Sequence, residues 1–189
     1  MPVRYAYHPG NVAHSSAPEV DETMRAACRS LDVDLIDMPG ATSCGAGILG
    51  QANRRLQITL NARTMSMSED LGLDIITPCA TTAATLHEDL EMMKSDPSLM
   101  GEVNKTLQKT TGRSLEGSIK IRHFLQVIVE DLGLDNFLKK VKNPISSRLG
   151  PYYGPNLQQE GLVGGDDIFD PWYMESIIES SGGTPIRYT

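Results

Sequence analysis

The sequence lacks long apolar runs and has few aromatics and few cysteines. No stretch approaches the about 18 consecutive apolar residues that mark a membrane-spanning helix, so none is expected. Aromatics are only 5% of the 189 residues, so the core must be built from Leu, Ile, Val, Met and Ala. Cys28, Cys44 and Cys79 are too few and too scattered for a secreted disulfide framework. The N-terminal MPVRYAYHPG has no apolar signal core. These absences predict a cytoplasmic chain with reduced thiols. No basic block exceeds a pair (Arg54-Arg55, Lys139-Lys140) and the net charge is −7, which argues against a nucleic-acid partner. There is no Gly-x-Ser-x-Gly elbow, no phosphate-binding Gly-Lys loop and no His-Glu-x-x-His. Gly45, Gly47 and Gly50 match a dinucleotide spacing, but a lone match of this kind is weak evidence.

What is present is an alternation of short apolar runs and amphipathic segments. Val3–Tyr7 reads as a strand ended by Pro9-Gly10. Pro18 and the following acids open a helix whose face is Val20, Met24, Ala27 and Leu31. Cys28 falls beside Ala27 and reads as a packing residue. Val33–Met38 is a strand, Thr42–Gly47 a small-residue loop, and Gln51–Leu71 a helix stopped by Gly72. Leu73–Thr77 has the continuous apolar character of a buried parallel strand. Helices are expected over Ala83–Met93 and Pro97–Leu107, a strand over Ser118–Arg122, and helices over Phe124–Leu132 and Leu134–Val141. The pattern predicts an α/β fold with a parallel sheet and crossover helices. Met65, Met67, Met92 and Met93 read as core filling before partner groove.

The spacing of particular residues carries more. Asn11 follows Pro9-Gly10, and 31 residues separate it from Ser43-Cys44-Gly45. Another 34 residues lie between Cys44 and Cys79, which opens Cys79-Ala80-Thr81-Thr82. With cysteine at Asn11, Ser43 and Thr82, the pattern becomes a lone Cys, a Cys-Cys-Gly and a Cys-x-x-Cys, each about one α/β unit apart. It resembles the cysteine-rich CCG domain of the B-type subunits of heterodisulfide reductase and of related succinate dehydrogenase-associated subunits. In that family the cysteines hold an iron–sulfur cluster. The resemblance implies that Asn11, Ser43, Cys44, Cys79 and Thr82 are the cluster-equivalent positions, with Cys44 and Cys79 the remaining metal ligands. His8 could add one nitrogen. Hydroxyls and amides are poor ligands for such clusters, so no cofactor is expected from this set, with a cluster on an unusual ligand set as the alternative. A dithiol–disulfide pair of Cys44 and Cys79 is a further alternative.

Residues 148–189 echo residues 1–38. Gly150–Asn156 (GPYYGPN) parallels Arg4–Asn11 (RYAYHPGN), and Pro155 falls at the lone-Cys position. A helix over Pro171–Ser181 and a strand over Thr184–Tyr188 are expected. The domain expectation is therefore residues 1–144 for a first CCG-like domain and 145–189 for the start of a second. An incomplete second copy leaves sheet edges open, to be covered by a partner or by further chain. The resemblance implies membership of a multi-subunit redox complex, as either a structural copy or an electron-transferring one. Its partners would be iron–sulfur or ferredoxin-like subunits, with any membrane attachment made through them. His14 is expected on an exposed loop, His87 facing solvent and His123 in a structural hydrogen bond.

Overall fold

The computed structural model describes residues 2–13, 16–158 and 166–187. His14 and Tyr188 lie outside the described residues. The chain forms two compact units, Met1–Arg122 and His123–Thr189.

The first unit alternates strand and helix: β1 (Val3–Tyr7), α1 (Pro18–Ser30), β2 (Val33–Asp37), α2 (Leu49–Leu71), β3 (Ile75–Thr77), α3 (Ala80–Ser95), α4 (Pro97–Thr111) and β4 (Ile121–His123). The sheet order is β2-β1-β3-β4. β1 runs parallel to both neighbours, with Tyr5 opposite Leu35 and Tyr7 opposite Ile76. Parallel strands need crossovers, and α1 and α2 supply them. β1 is central, so the winding reverses between β1 and β3. Ligand sites of such sheets gather beyond the carboxyl ends of the strands at that reversal.

The apolar runs become the core as expected. Tyr7, Ile75, Ile76, Met65, Leu86 and Met93 are all buried. Cys28 is buried too, and burial pushes its thiol up to about 11. Met65 and Met93 therefore fill core space, while Met92 is 36% exposed.

Helix starts differ from the sequence-based expectation in instructive ways. α2 contains a break at Asn53, whose φ of −159° and ψ of 89° are extended. The Asn53 side chain accepts from Leu56 N at 3.0 Å, so it acts as a cap inside the run. α3 begins at Ala80, not Ala83, which puts Cys79 at the cap position and Thr82 in the first turn. Asp96 caps α4 by accepting from Ser98 N at 2.9 Å and Leu99 N at 3.1 Å. β4 starts at Ile121, later than the expected Ser118.

The second unit holds α5 (Phe124–Gln126), a π-helical stretch Val127–Leu132, α6 (Leu134–Lys140), β5 (Arg148–Leu149), α7 (Tyr173–Ser180) and β6 (Thr184–Pro185). His123 makes the expected structural bond: its Nδ1 accepts from Leu125 N at 3.3 Å, and Gln126 Oε1 accepts from His123 N at 2.8 Å. The continuous α-helix expected over Phe124–Leu132 is instead widened into π-turns, which a 3.6-residue period does not signal. β5 and β6 pair in parallel across α7. Tyr153 fixes α7, donating to Glu175 Oε2 and accepting from Met174 N, each at 2.7 Å.

Candidate functional site

Four of the five residues that the sequence resemblance marks meet in one hydrogen-bonded knot beyond the carboxyl ends of β1, β2 and β3. Asn11 comes from the loop after β1, Ser43 and Cys44 from the loop after β2, and Thr82 from the first turn of α3. The Asn11 amide spans the knot. Its Oδ1 accepts from Ser43 Oγ at 2.8 Å, and its Nδ2 lies 3.3 Å from Cys44 Sγ as a donor. The Cys44 thiol in turn lies 3.4 Å from Asn11 Oδ1, and Thr82 Oγ1 donates to Cys44 Sγ at 3.5 Å. Cys44 and Thr82 have no exposed surface.

Cys79 sits beside the knot, half-buried, and packs on the backbone of Gly10. A Cβ built on Gly10 would lie 2.5 Å from the Cβ of Cys79 and 3.3 Å from its Sγ. Gly10 also has a φ of +94°, which favours glycine. The glycine before Asn11 is thus what lets the first loop and the start of α3 touch. All three cysteines are free thiols.

His8 organises the second loop instead of offering a nitrogen to a metal. Gly10 N donates to His8 Nδ1 at 3.1 Å, so the ring proton sits on Nε2. That nitrogen donates to Thr42 O at 3.0 Å. Both ring nitrogens are therefore engaged.

Beneath the loop runs a feature that sequence reasoning missed. Gln57, Asn61, Thr64 and Ser68 recur at helical spacing on α2, and all four are buried. Thr64 Oγ1 accepts from Thr42 N at 3.4 Å, and Asn61 Nδ2 donates to Cys44 O at 3.0 Å. Asn61 Nδ2 also donates to Asp89 Oδ2 at 2.6 Å, and Arg54 pairs with Asp89 Oδ1 at 2.7 Å. Asp89, on α3, is fully buried. Burial raises its pKa, opposed by the hydrogen bond from Asn61, the Arg54 charge and the bond from Gln57. The available signal was a polar stripe at i, i+4, i+7 and i+11, a period that ordinarily marks an apolar face.

A cleft of about 660 Å³ opens beside the knot, lined by Tyr7–Asn11, Arg25 and Asp37–Ser43. Arg25 stacks 4.8 Å from the Tyr7 ring centroid and pairs with Asp21 and Asp37.

Residues 5–87 match the cysteine-rich domain family, CCG. That span runs from β1 into α3 and contains every knot residue. The chain is 24% identical over 184 residues to the B-type subunit of the ferredoxin/F420H2-dependent CoB-CoM heterodisulfide reductase of Methanosarcina acetivorans, covering 95% of this chain and 60% of that one. It is 24% identical over 190 residues to the 8-methylmenaquinol:fumarate reductase membrane anchor subunit of Wolinella succinogenes, covering 100% of this chain and 65% of that one. The chain thus spans less than two thirds of the length of these curated relatives. A hypothetical protein from Helicobacter pylori shares the fold, with a TM-score of 0.72 at 13% identity over 100% of this chain and 34% of that one.

The match to the CCG family makes iron–sulfur binding a question for this site. A standard cluster is held by about four thiolates. Asn11, Ser43, Cys44, Cys79 and Thr82 offer two thiols, one amide and two hydroxyls, and the buried thiol is already enclosed by the amide and the Thr82 hydroxyl. This donor set does not fit a cluster. Among the described residues no group of three or more His, Cys, Asp or Glu side chains is placed to hold a metal ion. No helix among them is long and apolar enough to cross a membrane.

Proposed function

We propose that the chain is a structural, partner-docking subunit of a multi-subunit redox complex, of the heterodisulfide reductase or succinate/fumarate dehydrogenase kind, that carries no complete iron–sulfur site of its own. The observation that carries this reading is the knot. Asn11, Ser43, Cys44 and Thr82 join two loops and the start of α3 by hydrogen bonds, at the positions where the resemblance implies cysteines. The loops stay fixed, and the surface they shape is kept, without a metal. The named relatives, subunits of two different redox complexes, support assembly with other subunits. The cytoplasmic placement, with any membrane association through those subunits, is part of the same proposal.

Residues 145–189 are read as the start of a second CCG-like repeat following a first domain over residues 1–144. The parallel β5-α7-β6 unit repeats the β1-α1-β2 opening. Each has a cleft after its strands, of about 760 Å³ along Pro151–Gly154 and Ile186-Arg187 in the second. Residues 145–189 contain no cysteine.

Deletion of the chain from its native complex tests the function. Loss of assembly, with the redox centres of the other subunits intact, is the expected outcome. A complex that assembles and turns over normally without this chain would contradict it.

A further inference from the structure

We propose that the face formed by Lys139, Lys140, Lys142 and Arg148 docks an acidic protein surface on a neighbouring subunit. This rests on the docking role proposed above and names the chemistry of the partner. The charge distribution points to it. From Leu138 to Arg148 the chain carries four cations and no acid, while the other 13 of its 17 basic residues share the remainder with all 24 acidic ones. All four cations are exposed. Lysines in the last turn of a helix are ordinary, since they face the negative end of the dipole, and that explains Lys139 and Lys140. It does not explain Lys142 or Arg148, which lie beyond α6.

The face is also fixed in shape. Ile145 N donates to Ser181 O at 2.7 Å, and Thr184 N donates to Ser147 O at 3.0 Å. The strip it packs on, Ser181–Thr184, is uncharged. A Cβ on Gly182 would lie 2.9 Å from that of Pro144, so the two segments are in close backbone contact. Leu138 and Ile145, 54% and 41% exposed, fall in the same stretch of sequence as the cations. Apolar contacts ringed by charge are the anatomy of a protein interface. Charges carried on a helix end, a loop and a strand with a hydrogen-bonded backbone suit carboxylates at fixed positions. Anionic lipid surfaces are bound by clusters of about four to eight cations; this stretch has the smallest such number and apolar residues within it, which favours a protein surface.

The test uses the intact chain purified with its native partners at low salt. Zero-length carbodiimide cross-linking joins a lysine to a carboxylate in direct contact, and mass spectrometry locates the bond. Cross-links from Lys139, Lys140 or Lys142 to Asp or Glu of an identified subunit are expected. The triple variant K139E/K142E/R148E should weaken binding to that purified subunit on the order of tenfold, and raised salt should weaken the wild type similarly. Co-purified partners whose cross-links map elsewhere, with unchanged affinity for the triple variant, would overturn this inference and leave the docking role standing. Loss of all partners at any salt would overturn the docking role itself. Charge-dependent sedimentation with phosphatidylglycerol vesicles in place of any partner would also overturn it, assigning the face to lipid.

Discussion

A single methyl group at Gly10 would meet the Cβ of Cys79 at 2.5 Å, in a backbone held at φ +94°. Neither conflict has an inexpensive escape, because the opposing atom lies next to the backbone. Gly10→Ala is therefore expected to cost roughly 2–3 kcal/mol, seen as a lower Tm in thermal unfolding. Asn11→Ala acts differently. It leaves room but removes the amide's contacts to the buried Cys44 thiol, while the exposed Ser43 hydroxyl turns to water, at about 1 kcal/mol, again read in thermal unfolding. A Tm equal to wild type in Asn11→Ala would remove the knot's structural role. At this scale the sequence was informative about position and silent about bonding. The spacing of Asn11, Ser43, Cys44 and Thr82 marked the residues. That the Asn11 amide would reach both neighbours depends on the turn at Gly10, which spacing does not describe.

Between elements, the polar stripe of α2 and Asp89 of α3 hold the second loop from below. Native Asp89 keeps its proton at pH values where the unfolded chain has released it, because burial raises its value above the ordinary 3.8. Stability from this group is therefore present below 3.8, is lost as pH rises through the interval up to the raised folded-state value, and stays lost above it. Asp89→Asn should remove that slope. Paired Tm measurements across the acid range check it, and parallel curves for wild type and variant would contradict it. Loss of the α4 cap in Asp96→Ala should cost about 1 kcal/mol, a fall of roughly 2–4 °C in Tm for a chain of this size. Strand and helix order was legible because buried parallel strands read as unbroken apolar runs and Pro18 and Pro97 mark first turns. The cap at Asn53 was not, since extended backbone inside a helical pattern leaves no periodic trace. The buried stripe escaped because Gln, Asn, Thr and Ser at helical spacing look like a solvent face until their partners are known.

At the scale of the whole molecule, the match to the CCG family spans residues 5–87, the part of the chain that holds the hydrogen-bonded knot. The loops after β1 and β2 and the start of α3 present an amide, hydroxyls and one enclosed thiol, so the scaffold is expected to fold and assemble without metal. This follows from donor chemistry, which the sequence displayed directly at each substituted position. The most direct test is iron and acid-labile sulfide per chain, measured on anaerobically purified protein together with its visible spectrum. No iron, no labile sulfide and a colourless protein are the expected result. About four iron per chain would contradict the central claim, because a cluster would then be held despite the hydrogen-bonded knot and the chain would belong to the electron path.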